Sequence, residues 1–216
     1  MSACCHGEQN FTGADPRYRR VLWIVVAINL AMFALEIGAG AFADSRSLQA
    51  DALDFLGDGL TYGLSLAVIG LAPVWRARAA LAKGVSLLAM AAWVLGTTLH
   101  AFLGPGQPHA PTMGVVGFMA LAANLTSVLL LMRWQQGDAN VRSVWLCSRN
   151  DAIGNVAVLI AAAGVWGSAT AWPDLVVALG MAGLFTWSAV QILRQAGAEL
   201  QASSASTSAS TLASGS

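Results

Sequence analysis

The sequence predicts an all-α membrane protein, a six-transmembrane-helix bundle whose N- and C-termini are cytoplasmic. The first observation is composition: of 216 residues, 56% are hydrophobic and only 10% are charged, against about 25% charged residues in a soluble domain. The second is a mean hydropathy of +0.63. The third is a series of apolar stretches, each close to the ~20 residues that a helix needs to cross a ~30 Å hydrocarbon core.

The apolar stretches define the predicted organisation of the chain. They are too long and too uniformly apolar for barrel strands, so helices are the only spanning structure that satisfies their backbone groups. The predicted domain layout is a flexible cytoplasmic N-terminal segment at 1–16, a six-helix domain at 17–197 and a disordered Ser-rich tail at 198–216. The six stretches are 21–43, 48–72, 80–103, 112–132, 143–167 and 174–194.

The basic residues predict the orientation. Cytoplasmic loops of membrane proteins carry an excess of Lys and Arg, and with six alternating helices nearly all the basic residues flanking the spans fall on the side of the two termini, which is therefore expected to be cytoplasmic. Only Arg46 lies in a loop on the other side. The residues on the side of the termini are Arg17, Arg19, Arg20, Arg76, Arg78, Lys83, Arg133, Arg142 and Arg194.

One alternative for the first span is a cleaved signal peptide, because Ala41-Phe42-Ala43 resembles a cleavage site after a basic and apolar segment. The apolar stretch is longer than a usual signal core and contains Glu36, which favours a retained helix.

Charge and small residues limit the partners. The chain has 11 basic and 11 acidic residues, so it has no basic field for nucleic acid. Its three cysteines do not form a disulfide framework. Gly59 and Gly63 form a GxxxG step, which favours close helix packing within the bundle and leaves a homodimer as the alternative.

The second span carries an acidic face. Asp51, Asp54 and Asp58 are spaced i, i+3 and i+7, which places them on one side of a helix. Each carboxylate near the centre of a lipid-facing helix costs about 2.5–3.5 kcal/mol, and the apolar residues of the span return only about 3–6 kcal/mol in total. The acids must therefore face the bundle interior, where an ion or proton pathway is the default function. The structural alternative is pairing with intramembrane cations, but Arg149 alone cannot neutralise three aspartates.

The fifth span offers a second pair of ligands. Cys147 and Asp151 are i, i+4 neighbours, as are Asp54 and Asp58. Two helices with one such pair each can supply four ligands to a tetrahedral metal ion. A start of the fifth helix near Ala139 would bring Asp151 to matching depth. Cys147 taken singly favours a small buried apolar residue, and its pairing with Asp151 makes a metal ligand equally consistent with the sequence.

These segments resemble the cation diffusion facilitator family over residues 17–197. The run Ser47–Asp58 resembles the second-helix signature of the family, and 140–155 resembles its fifth-helix signature with Cys147 in place of the usual His. The resemblance implies that Asp54, Asp58, Cys147 and Asp151 bind metal. It further implies divalent metal efflux by metal/proton antiport with alternating access, through a site between helices 2 and 5, in a bacterial inner membrane.

The ligand types bear on the metal. Carboxylates admit Mn, Fe or Co, whereas a thiolate favours Zn and Cd, so Zn and Cd are the favoured cargo and no resident cofactor is expected. These ligands bind metal only when they are deprotonated, so metal binding releases protons. Protons are therefore expected to be the second transported species. Accessory candidates for the metal site are Asp51 and Asn155, with Cys4, Cys5 and His6 for capture of soft metal; the alternative for this last group is chance composition. Asp51 and Asp174 are candidates for an exit path, and the alternative for Asp174, which follows Pro173, is an ordinary helix start.

Two other functions stay open. A non-transporting metal sensor or accessory subunit that keeps the transporter fold is suggested by residues 198–216, which do not resemble the cytoplasmic C-terminal domain of the family. An intramembrane enzyme ranks lowest, because Cys147 with Asp151 is the only nucleophile and base pair in the spans. The chain is therefore expected not to be an enzyme.

Overall fold

A computed structural model describes residues 15–67, 73–104, 106–134 and 139–214. The side chains of 73–77, 134, 139–150, 202–214 and the single positions 65, 79, 195, 199 and 200 lie outside this description. The described chain contains six α-helices, one short 3-10 turn at Met132–Trp134 and no strand, which confirms the predicted all-α bundle. The helices are α1 Pro16–Phe42, α2 Arg46–Ala67, α3 Pro73–Phe102, α4 Ala110–Leu131, α5 Ala139–Ser168 and α6 Trp172–Ser214.

Five of the six helices are long and apolar enough to cross a membrane, as judged over the described residues by length and composition. The exception is α2, which carries three aspartates. A helix of this composition is stable at membrane depth only when other helices surround its polar face. The packing provides this arrangement, because α2 contacts α1, α3, α5 and α6, and Leu48 of α2 lies in one apolar core with Val94, Val158 and Phe185 of α3, α5 and α6.

The helices run alternately up and down. The backbone N–H of His109, before α4, donates to the carbonyl oxygen of Ala43, after α1, at 2.8 Å. The Phe102 and Trp172 rings, at the end of α3 and the start of α6, meet edge to face with centroids 5.0 Å apart. The α1–α2, α3–α4 and α5–α6 connections therefore share one end of the bundle, and α1 starts at the opposite end. Which end is cytoplasmic stays a prediction.

Local sequence explains how α1 begins and ends. The Asp15 carboxylate accepts a 2.7 Å hydrogen bond from the Arg17 backbone N–H, and Pro16 occupies the first turn, where it costs no hydrogen bond. A three-residue turn then leads into α2, with Asp44 at φ 50°, a conformation that Asp tolerates better than most residues. The first helix packs against the second as part of the bundle.

The structure describes the predicted C-terminal tail in part but does not describe most of the predicted N-terminal segment. The expected disordered tail from 198 differs from the structure, in which α6 continues to Ser214. Residues 198–214 contain no Gly or Pro and several Ala, so nothing in them breaks a helix that is already formed. Residues 1–14 lie outside the described residues, so the flexible N-terminal segment and the roles of Cys4, Cys5 and His6 stay predictions.

The start of α5 at Ala139 confirms the expectation for this helix. A span beginning only at 143 would place Asp151 closer to the helix end. The extra turn carries Asp151 deeper into the bundle, toward the level of the acids on α2.

α1 and α2 approach each other closely at Gly40, and substitutions there test the packing. A Cβ at Gly40 would lie 2.9 Å from Gln49 Cγ and 3.0 Å from its backbone nitrogen, whereas a Cβ at Gly38 would meet nothing within 4 Å. We expect Gly40→Ala to destabilise the detergent-solubilised protein by about 1–3 kcal/mol, because the helices must move apart. Gly38→Ala, the matched control, should be neutral or stabilising. Thermal unfolding followed by circular dichroism measures both, and equal effects would contradict the close approach.

Candidate metal site

The acidic face of α2 meets α5 inside the bundle. Asp54 and Asp58 are both half-buried, one helical turn apart. The carboxyl group of Asp151, also half-buried, interacts with the side chains of both at hydrogen-bonding range. The structure thus places Asp151 of α5 beside Asp54 and Asp58 of α2, and metal binding by these residues stays a prediction. Three carboxylates at this range repel one another unless a cation or protons compensate them.

A tyrosine extends the acidic face by one more turn. The hydroxyl group of Tyr62 donates a hydrogen bond to the carboxylate of Asp58, and Tyr62 is fully buried. A donor of this kind fixes the orientation of the carboxylate. The signal in the sequence is the i+4 spacing that continues from Asp54 through Asp58 to Tyr62.

Lys83 is a cation near the acids that sequence reasoning misplaces. The sequence analysis counts it among the basic residues that flank the spans, at the start of the stretch 80–103, whereas α3 begins at Pro73 and carries it well inside the helix. There it acts electrostatically on both Asp54 and Asp58. It also lines a cavity of about 150 Å³ between α2 and α3, together with Gly57 and Thr61. One ammonium group can offset one of the three carboxylates.

The fourth predicted ligand is placed only through its backbone. Cys147 lies in α5, one helical turn before Asp151, but its side chain and that of Arg149 are outside the described residues. Over the part of the chain that the structure describes, no three His, Cys, Asp or Glu side chains form a ready-made metal-ligand group. The role of Cys147 therefore stays a prediction.

The two accessory candidates in the spans form a separate hydrogen-bond chain. The amide nitrogen of Asn155 donates to both carboxylate oxygens of Asp51, at 2.7 and 3.0 Å. The amide nitrogen of Asn124, on α4, donates to Oδ1 of Asn155 at 2.9 Å. All three side chains are buried. The chain links α2, α5 and α4, and Asp51 is its acceptor end.

Glu36 of α1 is a further buried acid, which the sequence analysis uses as an argument against a signal peptide. It faces Asp51 across the α1–α2 contact and is 0% exposed. Neither of its oxygens has a hydrogen-bond partner among the described residues. Its presence in the middle of an apolar span is the sequence signal that points to it.

Asp174, which is either an exit-path acid or an ordinary helix start by sequence, caps a neighbouring helix. Its carboxylate accepts hydrogen bonds from the hydroxyl groups of Ser45 and Ser47, both at 2.6 Å, and from the backbone N–H groups of Arg46 and Ser47 at 2.7 and 3.1 Å. These donors belong to the N-terminus of α2, where a negative charge is stabilised. Asp174 also lines a cavity of about 320 Å³ at the end where the three connections meet.

Comparison with known proteins agrees with this architecture. A family model described as the cation efflux transmembrane domain matches residues 22–201. The metal cation efflux system protein CzcD of Cupriavidus metallidurans is 27% identical over 172 residues, which cover 74% of this chain and 54% of that protein. The cation-efflux pump FieF of Pectobacterium carotovorum is 29% identical over 198 residues, which cover 82% of this chain and 65% of that protein.

The chain therefore spans about half to two thirds of the length of the curated relatives it matches. The matched family is one of transporters rather than enzymes. Together with the apolar helices, the bacterial relatives place the chain in the inner membrane as a multi-pass protein.

The structural role of Asp174 gives a prediction. Asp174→Ala should destabilise the protein by about 2–4 kcal/mol, because the donors at the start of α2 lose a charged acceptor. Asp44→Ala is the matched control: its carboxylate is about half exposed and makes one surface ion pair with Arg46, a contact that contributes at most about 1 kcal/mol. Thermal unfolding measures the two losses. If Asp174→Ala unfolds at the same temperature as the parent protein, the capping role is wrong.

Proposed function

Because this chain belongs to the cation efflux family, we propose that it exports a divalent metal cation through a site of Asp54, Asp58, Cys147 and Asp151 between α2 and α5. The observation that carries the proposal is the convergence of Asp54 and Asp58 with Asp151 inside the bundle. Such a cluster of acids at membrane depth is retained at a cost in stability, which points to a function in ion or proton movement.

Charge balance supports a divalent ion. Lys83 offsets one of the three carboxylates, which leaves two negative charges uncompensated among the described groups of the cluster. A divalent cation supplies the two positive charges that are missing. A monovalent cation would leave one carboxylate uncompensated in a medium where charge separation costs far more than in water.

The ligand types favour Zn²⁺ and Cd²⁺ as cargo, with Co²⁺, Fe²⁺ and Mn²⁺ as weaker candidates. Carboxylate oxygens bind all of these ions, so the carboxylates alone select poorly. A thiolate one turn before Asp151 shifts the preference to softer ions and suits a four-coordinate site. Cys147 is thus the proposed selectivity residue of the site.

Proton coupling follows from the same ligands. Carboxylates and a thiolate hold metal only when deprotonated, so a proton and a metal ion compete for them. Metal arriving from the cytoplasm releases protons from the site, and protons entering from outside displace the metal outward. Alternating access of the site to the two sides converts this competition into metal/proton antiport, with export as the direction.

The first test is metal uptake into inside-out vesicles. Asp58→Ala and Asp151→Ala should each lower Zn²⁺ uptake by about 10–100-fold or more, because the loss of a ligand exceeds the usual effect of losing its outer hydrogen-bond partner. Asp44→Ala, which removes an exposed carboxylate at the connection end, should retain uptake.

Uptake by both site variants at the parent rate would refute the assigned site. Saturable Zn²⁺ binding by the parent protein without any flux would identify the alternative, a metal sensor or accessory subunit that keeps the fold.

The second test concerns selectivity. Cys147→Ser replaces a soft ligand with a hard one, so Zn²⁺ and Cd²⁺ transport should fall by at least about tenfold relative to Mn²⁺ transport. Uptake of the three ions by the same vesicle preparation gives this ratio directly. An unchanged ratio would show that the thiol does not bind the cargo.

A further inference from the structure

A second pair of acids lies in the bundle beside the proposed metal ligands. Glu36 of α1 and Asp51 of α2 face each other and are 0% and 2% exposed. Asp51 is one helical turn before Asp54 on α2. The pair belongs to α1 and α2, whereas the proposed metal site belongs to α2 and α5, so the two sites share only α2.

The hydrogen bonds around the pair have a direction. Asn124 donates to Asn155, and Asn155 donates to both oxygens of Asp51. Asp51 is therefore satisfied as a carboxylate anion. Glu36 has no donor directed at either of its oxygens over the described residues. An ionised Glu36 would be an uncompensated charge next to an anion, which is strongly unfavourable in a buried environment.

A proton satisfies this geometry better than a metal ion. A protonated Glu36 can donate its O–H to Asp51, which needs only the two carboxyl groups present. A divalent metal needs about four or more ligands, and Asn155 directs its N–H group, not its oxygen, toward Asp51.

The surroundings of Glu36 connect it to the metal site. Among the residues that the structure describes, the titratable groups that act on it are Asp51 and Asp54, both on α2. The α4 and α5 helices face the pair with the uncharged side chains of Asn124 and Asn155. A divalent cation bound at Asp54 would cancel part of the negative potential at Glu36 and so favour release of its proton.

We propose that Glu36, hydrogen-bonded to Asp51, is a proton-carrying site separate from the metal ligands and coupled to them through Asp54. The proposal deepens the proposed antiport function and rests on it for the direction of proton movement. In each cycle the Glu36 O–H bond breaks as metal binds, the proton leaves to water, and the carboxylate takes up a proton again after the metal has gone. No oxidant or reductant is involved.

The first experiment measures proton counterflow in proteoliposomes that contain a pH-sensitive dye, with Zn²⁺ as the transported ion. Glu36→Gln mimics the protonated side chain, so we expect it to retain Zn²⁺ binding by calorimetry and to lose the part of the acceleration of Zn²⁺ flux by a proton gradient that does not come from the metal ligands. Glu36→Asp should restore part of this acceleration, and the control Asp44→Asn should keep all of it. Unchanged proton coupling in Glu36→Gln, or loss of Zn²⁺ binding itself, would overturn the proposal.

The second experiment does not depend on transport. Infrared difference spectroscopy of the metal-free wild-type protein should show the carbonyl band of a protonated carboxylic acid at neutral pH, and Zn²⁺ should reduce it. The band should be smaller in Glu36→Gln by the contribution of Glu36, while the contribution of the metal-site carboxyl groups remains. A wild-type protein without such a band, or a band that persists unchanged in the variant, would overturn the proton site. Absence of Zn²⁺ flux together with a Glu36-dependent band would instead refute the transport function and leave the proton site in place.

Discussion

An acidic side chain at membrane depth is stable only when other groups of the protein, or a bound ion, compensate its charge. Most of the architecture of this chain can be understood from that constraint acting on α2. The helix carries Asp51, Asp54 and Asp58 within two turns, so it cannot face lipid. The neighbouring helices α1, α3, α5 and α6 pack around it, and they contribute the polar groups that meet its acids while their own outer faces remain apolar.

The negative charges of the acids at and beside α2 are balanced in three different ways. The carboxylate of Asp174 is stabilised at the N-terminus of α2 by four hydrogen-bond donors, all of them permanent parts of the protein. Asp51 receives carboxamide donors from α5 and faces Glu36, and there the proposed compensation is a proton. Asp54 and Asp58 face Asp151 and Lys83, and there it is a divalent metal ion. Fixed donors suit a static role, whereas exchangeable ions suit transport.

The Glu36–Asp51 pair lies close to the cluster of Asp54, Asp58 and Asp151, and this proximity gives a physical basis for coupling between proton and metal. Charges within one low-dielectric interior influence one another more strongly than charges in water, so occupancy at Asp54 alters the energy of a proton at Glu36. Coupling of this kind requires neither a shared ligand nor a long pathway. It requires only that both groups stay buried and close, and the α1–α2 contact, with its close approach at Gly40, provides this.

Sequence reasoning succeeds where the position of a residue depends only on its own helix. Asp54 and Asp58 are predicted from their spacing, since that spacing fixes a shared face. Sequence reasoning fails where the partner of a residue lies on another helix. Lys83 counts as a residue at the edge of a span by sequence, and only the early start of α3 and its packing on α2 place it near the acids. Glu36 and Asn124 carry no motif, and only the packing of α1 and α4 brings them to the hydrogen-bond chain around Asp51.

By itself, the amino-acid sequence determined the all-α membrane fold, the number of helices, the acidic face of α2 and the family, because hydrophobic length and residue spacing are local properties that lipid enforces directly. The tertiary structure decided which acid meets which partner: Asp174 with the start of α2, Asp51 with Asn155 and Glu36, and Asp54 and Asp58 with Asp151. Those pairings depend on the rotation and depth of helices relative to one another. Van der Waals packing between distant segments sets these quantities, and no single segment encodes them.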